Sequence, residues 1–305
     1  MANDAATAAP LAAYEGAKPA APQWFQHAVA AIPAPEWIDV DGSRVETYVW
    51  GRPGAPGLLF LHGNLAHAGW WNFLAPAFAE RYRIAYFSWS GMGQSTWRRS
   101  YSLDRYVTEA LTVAETTGLF ASSTRPVLVA HSFGGRVTTM AARAWGQRLS
   151  GCIIVDSRML HLPASRSMPR GLRYPSLAAA LCRFRFAPAQ TCEHAFIADY
   201  LARGSLMQLE NSSDWTWRFD PAIGPQLGDM IDETPLFRLA RCPLAFIYGS
   251  RSTLTAKDVQ QRHRAGSTPG TIQLTIENAA HHVMVDQPHA LVDSINSVLR
   301  QWRLD

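Results

Sequence analysis

Val127–Val137 reads VLVAHSFGGRV, and the fold turns on how its serine is read. A run of β-formers ends in His131 and Ser132, and small residues then lead into the helical pattern of GGRVTTMAARAWGQRL. A serine just ahead of a helix is a routine N-cap, because its hydroxyl satisfies an orphan backbone N–H. A serine nucleophile demands more. The rest of the chain must then supply a base, an acid that orients the base, and oxyanion donors.

Working outward, strands and helices alternate on both sides of this stretch. EWIDVDGSRVETYVW alternates apolar and polar residues around Asp41-Gly42 and predicts a β-hairpin. GLLFLHG is a continuous apolar run, expected of a strand buried on both faces. A helix over Trp70–Arg81, the strand YRIAYFSW and the helix SLDRYVTEALTVAETTG follow, the last with Leu103, Tyr106, Val107, Ala110, Leu111 and Ala114 on one face. RPVLVA and GCIIVD are strands flanking the helix after Ser132. This alternation predicts a parallel α/β sheet. It stops at Ser157. To Ala240 the chain carries helical pieces broken by Pro and Gly, with no buried-strand run; alternation resumes with CPLAFIYG, a helix near Thr255–Arg264, TIQLTIE and a helix from Gln287 to Trp302. The expected organisation is a flexible leader and N-terminal extension (1–35), a core (36–156 and 241–305), and a helical insertion (157–240).

The 305 residues are 48% hydrophobic and 17% charged, which suits a globular, lightly charged chain with a full core. A net charge of +4 is too small to suggest nucleic-acid binding. Its distribution is uneven: Arg158, Arg166, Arg170, Arg173, Arg183 and Arg185 lie between Ser157 and Cys192 without an acidic residue among them. Four cysteines show neither metal-ligand spacing nor disulfide-rich density, so free thiols are expected, with a Cys182–Cys192 pairing left open. No apolar run approaches a membrane span, and the Ala/Pro-rich N-terminus lacks the pattern of a signal peptide, so a cytoplasmic protein is expected. Gly91 and Gly93 lack the third glycine and later acid of a dinucleotide site.

Four motifs follow predicted strands in order: LHGN (Leu61–Asn64), SGMGQS (Ser90–Ser95), AHSFGG (Ala130–Gly135) and AAHHVMVDQP (Ala279–Pro288). Together they resemble the α/β-hydrolase superfamily over nearly the whole chain after residue 36. The resemblance implies a mostly parallel eight-stranded sheet flanked by helices, with residues 157–240 as a helical cap inserted after the sixth strand. Ala130 replaces the first glycine of the G-x-S-x-G elbow, but it is small enough for the sharp strand-to-helix turn. Ser132 then reads as the nucleophile. Serine here also argues against haloalkane dehalogenase and epoxide hydrolase chemistry, since those relatives carry aspartate.

The family's base precedes a proline of the last loop by seven residues, which from Pro288 gives His281, with His282 as competitor. His62, His67 and His131 read as structural. The family's usual acid position, shortly after PLAFIYG, is occupied by Ser252, which cannot be the charged partner of imidazole. Asp156, at the end of GCIIVD, is the acid the resemblance then implies, since some members of the superfamily carry theirs at the end of this earlier strand; Asp258 or no acid at all are the alternatives. Phe133 N–H and Asn64 are the expected oxyanion donors. Trp70, Trp89 and Trp215 are candidate substrate-binding residues, against the plainer reading that such aromatics pack the cap on the core. The arginine excess is either a solvated face or an attraction for a carboxylate-bearing substrate. The expected activity is hydrolysis of a small-molecule carboxylic ester or lactone through an acyl-enzyme, with no cofactor, metal, nucleic acid or membrane. Carbon–carbon bond hydrolysis of a diketone and a non-catalytic ligand-binding member are the competing readings. Oligomeric state is open.

Overall fold

The computed structural model describes residues 9–160, 172–227 and 231–304. Its strands are β1 (Glu36–Val40), β2 (Ser43–Trp50), β3 (Gly57–Leu61), β4 (Arg83–Phe87), β5 (Val127–His131), β6 (Gly151–Val155), β7 (Leu206–Gln208), β8 (Trp215–Trp217), β9 (Leu244–Gly249) and β10 (Ile272–Ile276). The α-helices are α1 (Gln23–Ala30), α2 (Leu103–Thr116), α3 (Phe133–Trp145), α4 (Leu177–Leu181), α5 (Ala195–Gly204), α6 (Ile223–Leu227), α7 (Lys257–Gly266), α8 (Val283–Asp286) and α9 (Pro288–Gln301).

Eight strands form one sheet in the order β1-β2-β4-β3-β5-β6-β9-β10. The β1–β2 and β2–β4 pairs are antiparallel and all later pairs are parallel. β3, β5, β6 and β9 are buried along their whole length, as continuous apolar runs require. Successive side chains point to opposite faces. Leu58 and Phe60 join a core with α9 and α1, whereas Leu59 and Leu61 join a second core with α2 and α3. The chain leaves β3 toward β4 and returns to β5 on the other side of β3. The crevice at the carboxyl ends of β3 and β5 is therefore the switch point where such sheets hold ligands.

Three elements differ from expectation. Trp70–Arg81 is not a helix but two 3-10 turns, Ala68–Trp70 and Ala75–Ala77. Pro76 has no N–H to donate backward, so a continuous helix cannot run through it. The N-terminal extension beyond the Ala/Pro-rich stretch carries a helix not foreseen in the sequence: α1 buries Phe25, whose ring meets those of Phe73, Phe196 and Tyr200 at 5.5, 4.9 and 5.6 Å. Residues 1–8 lie outside the described residues. The segment between β6 and β9, expected to be helical, also contains the antiparallel β7–β8 hairpin. Its strands have three residues each, too short for a period-two pattern to declare itself. Among the described residues no helix is long and apolar enough to cross a membrane.

Candidate active site

Ser132 occupies the turn from β5 to α3 with φ 52° and ψ −119°, a conformation that a β-carbon disfavours. Neighbouring backbone makes room for it. A β-carbon on Gly134 would lie 2.9 Å from the Leu61 and His62 carbonyl oxygens, and one on Gly63 would lie 3.2 Å from the Ser132 Cβ. The Ser132 hydroxyl makes no capping bond to α3. It reaches His281 instead, with Oγ 3.0 Å from Nε2. His281 Nδ1 lies 2.8 Å from Asp156 Oδ2. One row of hydrogen bonds thus runs Ser132–His281–Asp156, with both His281 and Asp156 buried.

Asp156 ends β6 at φ 45° and accepts from three further donors: Gly249 N–H at 3.0 Å, Ser252 Oγ at 2.6 Å, and Thr255 Oγ1. Ser252, standing where the resemblance places an acid, therefore braces the carboxylate that stands elsewhere. Asp258 lies exposed in the first turn of α7. Phe133 opens α3, where first-turn N–H groups lack intrahelical acceptors. Asn64 follows β3 and lines the same cavity as Ser132.

The surrounding histidines divide by partner. His62 donates Nδ1–H to the Gly63 carbonyl (2.8 Å) and accepts from Trp89 N–H (3.1 Å), and burial pushes its pKa down to about 3. His67 donates to the Leu201 carbonyl of α5 at 3.0 Å. His131 donates Nε2–H to the His281 carbonyl at 3.0 Å; burial, aided by the neighbouring His281, lowers its pKa to about 3. The ring of His282 packs between Trp70 and Phe186, at centroid distances of 5.1 and 5.0 Å. Burial, then repulsion from His281 and His131, holds it well below the usual histidine range, against a small opposing effect of the Ala187 carbonyl.

Two residues overlooked in the sequence hold the His281 loop. Asp286 accepts from Ala280 N–H at 2.7 Å and from Gln190 Nε2 at 3.0 Å, while Gln190 Oε1 accepts from His282 N–H at 2.8 Å. Burial raises the Asp286 carboxyl to about 6. Asp286 follows the histidines by a few residues and was within reach of motif reading; Gln190 comes from the inserted segment and carries no local signal. The SGMGQS motif also acquires a task. Asp220 N–H donates to the Gly91 carbonyl at 2.8 Å and its carboxylate accepts from Tyr101 Oη at 2.8 Å, fastening the insertion to the core.

A cavity of about 490 Å³ opens at Ser132. Trp70 and all of His131, His281 and His282 line it from the core, and Arg183, Phe184, Arg185, Phe186 and Trp217 from the insertion. Two expected substrate-binding residues are elsewhere. Trp89 is wholly buried, donates Nε1–H to the His62 carbonyl at 3.0 Å and packs on Phe87 and Tyr106. Trp215 lines a separate surface recess with Arg173 and Arg218. Nearness in sequence to a functional loop does not say toward which side a ring points; Trp217, two residues on, is the one that reaches the cavity. Arg173 approaches Asp214 at 3.8 Å, and Arg166 and Arg170 lie outside the described residues. All four cysteines are unpaired.

The alpha/beta hydrolase family model matches residues 58–294, and the chain belongs to that family. It is a hydrolase by that membership. Among curated proteins it is similar to the esterase Rv0045c of Mycobacterium tuberculosis (strain ATCC 25618 / H37Rv), 25% identical over 285 residues, covering 88% of this chain and 90% of that protein. A crystal structure of that esterase superposes with a TM-score of 0.67 at 20% identity, over 95% of this chain and 96% of that one. The thioesterase domain from the curacin biosynthetic pathway superposes with a TM-score of 0.72 at 22% identity, over 87% of this chain and 99% of that one. E-2-(Acetamidomethylene)succinate hydrolase gives 0.71 at 15% identity, over 88% and 99%. These likenesses concern the fold.

Proposed function

We propose that the protein is a serine esterase that cleaves a small carboxylic ester or lactone through an acyl-enzyme, with Ser132, His281 and Asp156 as its triad. The observation that carries this reading is the hydrogen-bonded row from Ser132 through His281 to Asp156 at the floor of a cavity. Ser132 Oγ attacks the carbonyl carbon as His281 Nε2 takes its proton. Asp156 accepts from Nδ1–H, holds the productive tautomer and stabilises the imidazolium. The Phe133 and Asn64 N–H groups receive the oxyanion. His281 then protonates the departing alcohol, and water repeats the sequence on the acyl-enzyme. The described part of the insertion between β6 and β9 acts as the cap that supplies one wall of the cavity. A relative named as an esterase favours ester cleavage over the carbon–carbon alternative. Unpaired cysteines accord with a reducing, cytoplasmic setting.

A fluorophosphonate probe tests the core of the proposal. It should label the native protein on Ser132 and leave Ser132→Ala and His281→Ala unlabelled, with p-nitrophenyl ester turnover falling in both by about 10⁴-fold or more. Rapid labelling at another residue, or turnover surviving in Ser132→Ala, would overturn it.

The exposed Arg183 and Arg185 at the cavity wall favour a carboxylate-bearing substrate. Arg185 already donates to the Cys182 and Phe184 carbonyls, so Arg183 is the freer guanidinium. Arg183→Gln should lower kcat/KM for a succinate-type half-ester by about tenfold at low salt while sparing the neutral analogue, and high salt should erase the difference. Equal effects on both esters would make Arg183 a solvated surface group.

A further inference from the structure

His131 from the end of β5, and His281 and His282 from the loop before α8, line one wall of the Ser132 cavity. One ring nitrogen from each lies within 4.8 Å of the other two. The Ser–His–Asp row uses only His281. His131 has spent its one N–H on the His281 carbonyl, which leaves Nδ1 as a buried lone pair with no hydrogen-bond partner. Neither His282 ring nitrogen has a partner within hydrogen-bond geometry, and the Ala187 carbonyl lies near the ring. Unsatisfied buried nitrogens are costly, and here they gather beside a nucleophile.

We propose that His131, His281 and His282 form a binding site for a divalent transition cation of the zinc type, and that the bound ion inhibits the hydrolase. Imidazole nitrogen suits zinc, copper and nickel, and three histidines with one open position make a familiar zinc arrangement. The spacing fits with little motion. Three atoms within 4.8 Å of one another share a centre no more than about 2.8 Å from each, some 0.7 Å beyond a zinc–nitrogen bond. Small side-chain rotations close that gap. All three histidines line the cavity, through which an ion can reach them from solvent. Arg183 and Arg185 at the rim repel a dication, so the affinity must come from the imidazole bonds themselves.

Inhibition follows from the bonds His281 already makes. Its Nε2 is engaged with Ser132 and its Nδ1 with Asp156, so either nitrogen that turns to the ion leaves one of them. Losing the first removes the base, and losing the second removes the group that orients it. The inhibitory half of the inference rests on the esterase reading; the binding half does not.

The test is calorimetric titration of zinc chloride into the chelator-stripped full chain, the same chain phosphonylated on Ser132, and His282→Phe. The native chain should bind one equivalent, and both other forms should bind it about tenfold or more weakly. Fluorophosphonate labelling of the native chain should slow in proportion to sites filled and recover on adding EDTA. The ratio of labelling rates with and without zinc, taken within each protein, should approach one for His282→Phe. Equal zinc affinity in all three forms would put the ion on exposed histidines such as His27 or His289 and overturn the site. Full labelling speed with one equivalent bound would overturn the inhibition. Should thermal melting show that His282→Phe does not fold, the phosphonylated native chain decides. Should Ser132 resist labelling altogether, the esterase reading fails and the His282→Phe titration still decides the site.

Discussion

Asp156 takes four donors on two oxygens: His281 Nδ1, Ser252 Oγ, the Gly249 N–H and Thr255 Oγ1. Such a carboxylate cannot swing, so the His281 ring is held in one plane and one tautomer. Asp156→Asn should therefore cut kcat by about 10⁴, as loss of the charged partner does in the protease template. Ser252 lies 2.6 Å from the same carboxylate, which makes an exchange of roles testable. Ser252→Asp in the native background sets two carboxylates against each other and should reduce both activity and melting temperature. In Asp156→Asn the same change should restore part of the lost rate, because the new amide can donate to the new acid. Parallel kcat measurements on the four proteins check this; an unimpaired Asp156→Asn would remove Asp156 from the proposed triad. At this scale the hydrogen-bonded row of Ser132, His281 and Asp156 could be anticipated: the serine and histidine from motif spacing, the aspartate because the usual acid position is vacant and some members of the resembled superfamily carry their acid at the end of this earlier strand. The brace from Ser252 was not, because it requires two loops that are distant in sequence to meet. Trp89 and Trp215 failed for the complementary reason: residue type identifies an aromatic but not the wall it faces.

At the scale of elements, α3 is tied to the end of the insertion by an ion pair that nothing local announces. Arg136 on α3 and Glu233 approach to 2.7 Å with side chains only 5% and 3% exposed, and Glu233 N–H also donates to the Met159 carbonyl at 2.9 Å. Burial raises the Glu233 carboxyl, and the Arg136 guanidinium opposes that rise. Removing one partner strands a buried charge, which typically costs about 3–5 kcal/mol, whereas replacing both with apolar groups of similar volume is often near neutral. Arg136→Met alone should thus lower the urea midpoint sharply, and Arg136→Met with Glu233→Leu should recover most of the loss. If the double variant were no better than the single, the pair would be contributing net stability by itself. Helices with a clear apolar stripe, such as α2, were readable in advance, and so were the buried strands. α1, the two 3-10 turns and the β7–β8 hairpin were not. Each is too short to show a period, and each is ordered by packing on a distant element, as Phe25 is by Phe73 and Phe196.

Over the whole molecule, strand order carries the functional geometry. Reversal at β3 opens the crevice in which the residues after β3 and β5 meet, while β6 and the loop after β10 deliver Asp156 and His281 to the same end. Packing the loops at this end of the sheet has a global consequence, because it buries histidines. Burial lowers the pKa of His62 and His131 to about 3 and depresses His67, His263 and His282 as well. In the unfolded chain each of these titrates near 6.5. Between roughly pH 6.5 and 3 the unfolded chain therefore binds more protons at these sites than the folded one, and their stabilisation, complete above pH 6.5, is lost as pH falls. Asp286 acts in the opposite sense: its folded pKa of about 6 exceeds the unfolded value, so the folded state takes up its proton first and gains stability between pH 6 and 4. Glu109 and Glu233, raised by burial, add to that opposing sense. Five histidines outweigh three carboxyls. Unfolding at pH 5.5 should take up protons, each net proton steepening the decline by about 1.4 kcal/mol per pH unit, and urea midpoints should fall steadily from pH 7 to pH 5. His62→Gln, which keeps a polar neutral side chain, should flatten that slope by nearly one proton even if it lowers stability at pH 7. A pH-independent midpoint across this range, or an unchanged slope in His62→Gln, would mean that these imidazoles protonate in the folded state.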